Sequence, residues 1–374
     1  MNYTVNQYLN VRIGSPSVNA PKSIPLEKGA VVEVVRAVEG EAYDGNKLWF
    51  EGADGKFYWS GGFAESQLVS NNFLSVQKIV RKSKFDPVDP STIPDEKLCW
   101  SHIRFGIKDI WKQTYGQGVK VAILDSGINS NHPDLKDAII KGWNFLENND
   151  DFSDETHSHG TEVAGIIASQ GKQYYGIAPG VELLIGKIYK DYFNKDELVL
   201  EGIKWALKNG AEIINMSFTF SPPSERIQQL ILASLDKCVF VAACGNAGGN
   251  NGAVNRSPAS YKGVISVGAL NEDLTRYGRS SYSDFLDVMA PGVNIVSSSG
   301  NDAYAHNLSD TSFATPFITG ILALAIANFK NQNKQIPFIE FERMIQNACY
   351  HLDGNSERNI EYGYGIIDAE KFFK

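Results

Sequence analysis

The sequence of 374 residues contains only four cysteines, and none of them form a C-x-x-C pair. Cys99, Cys238, Cys244 and Cys349 are widely spaced, so a zinc ribbon is not expected and four reduced thiols are. Long hydrophobic runs are also missing. The most apolar stretch, Ile318–Ala327, is interrupted by Thr319 and Gly320, well short of the roughly 20 residues that span a bilayer, so no membrane span is expected. Met1–Asn6 carries no basic segment leading into an apolar core, so the expected location is cytoplasmic. Nor is there an excess of positive charge: 35 Lys and Arg face 43 Asp and Glu, a net charge of −8, which argues against a nucleic-acid partner. No internal repeat or low-complexity tract is present. With 43% hydrophobic, 21% charged and 11% aromatic residues, the chain has the composition of a folded globular protein.

The chain changes texture along its length. Val31–Val35 and Leu48–Phe50 are rich in β-branched and aromatic residues, with turn signals at Gly29, Gly40, Asp44-Gly45, Asp54-Gly55 and Gly61-Gly62. Short strands and tight turns at this spacing predict a small all-β barrel over residues 1–67. Leu9–Arg12, Leu26–Val34, Trp49, Gly55 and Tyr58-Trp59 make this segment similar to a bacterial SH3-like domain, which implies a peptide or glycan ligand. Residues 68–98 read as a linker or regulatory segment. Val76–Lys82 could form a strand or a short helix, and Pro87, Pro90 and Pro94 favour extended chain. Its place just before the third segment suggests that it packs near a cleft and restrains activity.

In residues 99–374, short apolar runs alternate with helical patterns. Val119–Leu124, Glu182–Gly186, Glu212–Met216, Val239–Ala243 and Val264–Val267 read as buried strands. Leu198–Asn209 and Ser224–Asp236 carry apolar residues at helical spacing. This alternation predicts an α/β fold with a mostly parallel central sheet between two helical layers, and a site at the carboxyl ends of the strands.

Three motifs fall at such ends. A buried strand delivers Asp125 in Ala122–Gly127; His159 stands in His157–Gly165 before a run of small residues; Ser312 stands in Asp310–Pro316 and opens an apolar helix. Pro316 is expected to sit in that helix's first turn, where amide donors lack partners. A hydroxyl nucleophile needs a base to take its proton and a carboxylate to hold the base's tautomer. The order Asp…His…Ser on a parallel α/β pattern resembles that of the subtilisin-like serine proteases.

That resemblance covers Trp100–Lys374 and implies a serine endopeptidase acting on peptide or protein substrates without a required cofactor. Asp125 would orient His159, His159 would take the Ser312 proton, and Asn246 in Ala242–Gly248 would donate its side-chain amide to the oxyanion. The Ser312 backbone amide would be a second donor, with a weaker one from Thr311. Asn215–Phe218 looks like the edge strand on which an extended substrate lies by backbone pairing, with Ser217, Phe218 and Thr219 as its substrate-binding residues. Ala243, Cys244 and Gly245, with Arg256, Ser257 and Pro258, look like the walls and floor of the primary specificity pocket.

The sequence departs from the family pattern in several places. Asp310 replaces a glycine beside the nucleophile, and Thr219-Phe220 replaces two small residues. Arg256 stands where a small or aromatic residue is usual; turned inward, it would favour an acidic side chain. His132–Leu135 resembles a calcium-ligand segment, whereas Ser169–Tyr175 is about two residues short of the usual calcium loop. A structural calcium ion stays open on these residues, and no metal ligand is assigned. Two other functions stay in view: a subtilase-fold peptide-binding regulator that does not cut, and a peptide ligase or macrocyclase.

Overall fold

A computed structural model describes residues 2–4, 11–13, 15, 17, 26, 30–43, 46–52, 54, 56–59 and 84–373, apart from 155–156, 191–195, 249–255 and 355–356. The chain divides into two units, Met1–Val80 and Arg81–Lys374. The first contains β1 (Asn2–Thr4), β2 (Val11–Ile13), β3 (Val31–Tyr43), β4 (Asn46–Gly52) and β5 (Lys56–Trp59). They form an antiparallel sheet in the order β1-β3-β4-β5-β2. Val11, Val32, Trp49, Phe50 and Tyr58 are buried. Trp49 Nε1 donates to the Glu41 carbonyl at 2.8 Å, and the Tyr58 hydroxyl donates to Asp54 at 2.7 Å. The register of β3 against β4 shifts twice, between Val34 and Arg36 and between Glu39 and Tyr43, which bends so long a strand. The expected turns at Gly29, Gly45, Gly55 and Gly61-Gly62, the Leu9-Asn10 part of the barrel motif and the Val76–Lys82 element lie outside the described residues.

The second unit begins before the position where the sequence suggests the linker ends. Residues 84–98 pack into it, with Ile93 and Leu98 in its core. The Tyr115 hydroxyl donates to the Val88 carbonyl at 2.7 Å, Lys97 Nζ donates to the Gly171 carbonyl at 2.8 Å, and Tyr175 N donates to the Lys97 carbonyl at 3.1 Å. The expected extended chain holds at Pro94, whereas Pro90 opens a short 3₁₀ turn (Pro90–Thr92) and a second follows at Asp95–Lys97, and the whole stretch is docked.

Two short helices follow, α1 (Trp100–Arg104) and α2 (Ile107–Trp111). The strands are β6 (Lys120–Asp125), β7 (Ile139–Asn144), β8 (Glu182–Lys187), β9 (Ile213–Met216), β10 (Val239–Ala243), β11 (Val264–Leu270), β12 (Val288–Pro291), β13 (Ile295–Ser298), β14 (Tyr304–Leu308), β15 (Cys349–Tyr350) and β16 (Ile366–Ile367). Nine of them make one sheet in the order β15-β16-β12-β11-β10-β9-β6-β8-β7; β13 and β14 form a separate hairpin. Within the large sheet only β15 and β16 pair antiparallel.

Alternating side chains of the buried strands feed two cores, as the two-residue period requires. Val121 and Ile123 of β6 join one core with α3 (His159–Ala168), α6 (Thr311–Asn331) and α7 (Glu340–Ala348). Ala122 and Leu124 join the other with α4 (Asp196–Lys208) and α5 (Glu225–Leu232). The unit is therefore the three-layer α/β fold that the sequence implies.

Among the described residues, α6 is the one helix long and apolar enough to cross a membrane by length and composition, and 89% of its apolar window is buried within the protein. The helix begins at Thr311, so Pro316 lies beyond the first turn. This corrects the sequence expectation. Pro316 has no N–H for the Ser312 carbonyl one turn back, and Ser217 Oγ donates to that carbonyl at 2.9 Å. Gly320 lets α6 approach the Ile177 segment closely: a Cβ added at Gly320 would lie 2.5 Å from Ile177 Cβ. Alanine at a helix interior gains about 1 kcal/mol over glycine, whereas overpacking costs about 1–3 kcal/mol. Because the clash is with another Cβ, overpacking should win. Gly320→Ala is expected to lower stability by about 1–2 kcal/mol in urea unfolding, and an unchanged or higher midpoint would contradict this packing.

Candidate active site

The buried strand β6 ends in Asp125, whose side chain is fully enclosed. Asp125 Oδ1 accepts the Ser126 amide at 2.7 Å, His159 Nδ1 at 2.8 Å and the Tyr189 hydroxyl at 2.9 Å. Asp125 Oδ2 is buried with no hydrogen-bond partner among the described residues. With Nδ1 donating to the carboxylate, the imidazole lone pair is at Nε2.

His159 reaches Asp125 because its helix starts almost on top of the strand end. Ser158 takes a left-handed conformation (φ 57°), turning the chain into α3. A Cβ at Gly160 would come within 2.0 Å of the Gly127 carbonyl oxygen. The Gly160 amide donates to Ser126 Oγ at 3.0 Å, and Ser126 Oγ donates to Asp154 at 2.5 Å. Burial by itself pushes the His159 imidazole below 6.5. The charge and hydrogen bond of Asp125, with Glu162 and Asp154 further away, outweigh that and hold it above.

Ser312 lies in the first turn of α6, and its hydroxyl donates to the Ser217 carbonyl at 3.0 Å. Among the described residues no bond joins it to His159. Ser217 is held in turn by Asn215 Nδ2 at 2.9 Å, and Asn215 Oδ1 accepts from Thr319 at 2.8 Å. Asn215 and Thr319 are fully buried. Asn246 Oδ1 accepts both the Thr311 amide at 2.9 Å and the Thr311 hydroxyl at 2.8 Å. An amide N–H can only donate, so this pair fixes the flip of Asn246 and leaves Nδ2 as its donor. The Thr311 hydroxyl, expected as an oxyanion donor, is occupied by this bond.

A cavity of about 250 Å³ opens beside Ser312 and Asn246, lined also by Phe218, Thr219, Ala243, Gly245, Ala247, Arg256 and Thr311. Three residues expected in its walls do not line it. Cys244 points the other way, its Sγ 3.1 Å from the Ser281 carbonyl, and burial pushes its thiol up to about 12. Ser257 and Pro258 are buried behind the cavity, Ser257 pairing with Phe220 through N–H···O bonds of 2.7 and 3.3 Å. Asp310 makes no capping bond; its Oδ1 lies 3.6 Å from Arg279, and burial raises its carboxyl while Arg279 offsets part of that rise. The bonds that residues 84–98 make elsewhere in this unit run to Lys108, Tyr115, Asp137, Gly171, Lys172 and Tyr175, none of which lines the cavity; residues 68–83 lie outside the described residues.

Tyr189 was missed by the sequence reading. It follows β8, the neighbour of β6, and places its hydroxyl 3.0 Å from His159 Nδ1 as well as on Asp125. The calcium-like segment has a different environment from the one the resemblance leaves open. Buried Asp134 accepts the Lys172 amide, the Gln173 amide at 3.1 Å and the Tyr304 hydroxyl at 2.9 Å. These three donors occupy carboxylate lone pairs that a cation would otherwise take.

The chain matches the model of the Subtilase family over residues 116–365. It is 35% identical over 259 residues to M-protease of Shouchella clausii, covering 68% of this chain and 64% of that protein, so the match spans just under two thirds of that relative. Subtilisin BL of Lederbergia lenta is 34% identical over 259 residues, with 68% of this chain and 90% of that protein covered. The Intracellular serine protease of Paenibacillus polymyxa is 35% identical over 243 residues, with 63% and 72% covered.

The opposed influences on His159 can be separated. An NMR titration of the imidazole nitrogens is expected to give a His159 midpoint above 6.5 in the native protein and a lower one in Asp125→Asn, where only Glu162 and Asp154 are left to oppose burial. Equal midpoints in the two proteins would remove Asp125 as the cause.

Proposed function

The chain belongs to the Subtilase family, and on that premise we propose that it is a subtilisin-type serine endopeptidase acting through Asp125, His159 and Ser312. The observation that carries this reading is the 2.8 Å bond from His159 Nδ1 to Asp125, which leaves Nε2 as the base. Relatives named subtilisins and alkaline proteases support the same chemistry.

An extended peptide lies along Ser217–Thr219 with its scissile carbonyl over Ser312. Rotation about the Ser312 Cα–Cβ bond exchanges its hydrogen bond to Ser217 for one to His159 Nε2. As Oγ attacks the carbonyl carbon, its proton passes to Nε2, and Asp125 stabilises the imidazolium without taking the proton. The oxyanion receives Asn246 Nδ2–H and the Ser312 amide, a first-turn N–H without an internal helix partner. The imidazolium then protonates the leaving amine as the C–N bond breaks. Water, deprotonated by His159, hydrolyses the resulting ester. The N-terminal sheet, similar to an SH3-like domain, docks a peptide or glycan; its five antiparallel strands support that reading. Asp134 takes no calcium, because protein donors occupy its oxygens.

A peptide-binding role without cleavage is the second reading, favoured by the Ser312–Ser217 bond and by the carboxylate of Asp310 beside the nucleophile. A fluorophosphonate probe decides between them. Labelling of the native protein that is absent in Ser312→Ala, with cleavage products from a peptide library, is the expected result; an unlabelled native protein would sink the peptidase reading. Asn246→Ala is expected to lower kcat about 10²–10³-fold with KM little changed, the loss seen when a subtilisin loses this donor. EDTA is expected to leave the thermal midpoint within about 1 °C, and a fall of about 5 °C or more would contradict the reading of Asp134.

A further inference from the structure

The cavity beside Ser312 is lined by a cationic residue that has no salt-bridge partner among the described residues. Arg256 lines it, and its Cδ lies 3.1 Å from where a Cβ on Gly245 would be, so the side chain covers the cavity wall formed by Gly245. Its Nε is enclosed and has no hydrogen-bond partner among the described residues. None of the residues lining the cavity carries a carboxylate. The nearest acidic neighbour of the nucleophile, Asp310, faces Arg279.

A guanidinium stays protonated at any working pH, and its planar fork matches a carboxylate in two parallel hydrogen bonds. Arg256 is half-buried, and a buried donor such as its Nε–H, left without a partner, is costly until one arrives. The cavity sits between the Phe218-Thr219 and Ala243–Gly245 segments and opens beside Asn246 and Ser312. It therefore receives the side chain of the residue whose carbonyl is attacked.

We propose that Arg256 makes this site selective for peptides with an acidic residue, Glu or Asp, contributing the scissile carbonyl. The inference rests on the peptidase reading and supplies its substrate class. The carboxylate of that residue pairs with the Arg256 guanidinium, and Gln at the same position, which lacks the charge, pairs less well. Because the ion pair is shielded in a cleft, the preference weakens with added salt but is not abolished.

The test uses the full chain and internally quenched peptides that differ only at the residue before the cleaved bond: Glu, Asp, Gln, Leu, Phe or Lys. The expected result is a kcat/KM for Glu or Asp at least about 10-fold above that for Gln at low ionic strength. Arg256→Gln should remove that ratio, and Arg256→Glu should favour Lys. A second measurement uses only the native protein and so does not depend on a variant folding: a product peptide ending in Glu should inhibit more strongly than the same peptide ending in Gln. Equal kcat/KM for Glu and Gln, or a preference for Phe or Leu, in a protein labelled at Ser312 overturns the selectivity and leaves the peptidase reading standing. A native protein that neither labels nor cleaves overturns both.

Discussion

The N-terminus of α3 lies against the end of β6 with no room between them for a single methyl group. A Cβ on Gly160 would fall 2.0 Å from the Gly127 carbonyl oxygen, and one on Gly127, itself at φ 110°, would fall 2.5 Å from the Phe152 carbonyl. Only glycine allows so close an approach of backbone to backbone. That approach makes a 2.8 Å contact between two side chains 34 residues apart in sequence, and it buries the carboxylate that receives it. Asp125 then bears the cost of burial with three donors on one oxygen and, among the described residues, none on the other. The state of His159 follows from that balance between burial, which lowers its affinity for a proton, and a fixed neighbouring charge, which raises it.

The other half of the site is joined through a defect in a helix. Pro316 interrupts the α6 ladder and frees the Ser312 carbonyl, which binds Ser217 at the end of β9. The Ser312 hydroxyl returns a bond to the Ser217 carbonyl, and Asn215 and Thr319 fix the pair from within the core. One missing amide hydrogen thus locks the nucleophile's helix to the end of β9; β6 and β10 flank that strand, so it is not the edge strand the sequence suggests, and a substrate would pair beyond it along Ser217–Thr219. A helix without proline would satisfy its own carbonyl and leave Ser217 Oγ without that acceptor. Thr311 on the same turn orients Asn246, so position and amide flip both come from the start of α6.

Much of this was legible because it is local. Buried parallel strands are short runs of β-branched and aliphatic residues, and Asp125, His159, Asn246 and Ser312 each stand within a distinctive local motif. The parts that were not legible depend on long-range placement. Tyr189 lies in an unremarkable Ile-Tyr-Lys run and meets Asp125 only because β8 pairs with β6. The edge strand β7 reads Ile-Ile-Lys-Gly-Trp-Asn, too polar for a buried strand and too short for an alternation signal. Cys244 was misplaced although a signal existed: Ala243 and Gly245 face the cavity, so a residue between them on extended chain faces away. The prolines of residues 84–98 suggest extended chain, which holds at Pro94 but not at Pro90, where the fixed φ opens a 3₁₀ turn, and neither conformation says whether a segment is docked.

The account stands on Asp125, His159, Ser312 and Asn246 forming one acyl-transfer site once the serine turns. A crystal structure of the protein inactivated by a peptidyl phosphonate tests that most directly. The account predicts a bond from Ser312 Oγ to phosphorus, Oγ moved off the Ser217 carbonyl, His159 Nε2 within hydrogen-bond distance of the adduct, and the phosphonyl oxygen held by Asn246 Nδ2 and the Ser312 amide. An adduct on another residue, or an Asn246 amide turned away from the phosphonyl oxygen, would contradict it.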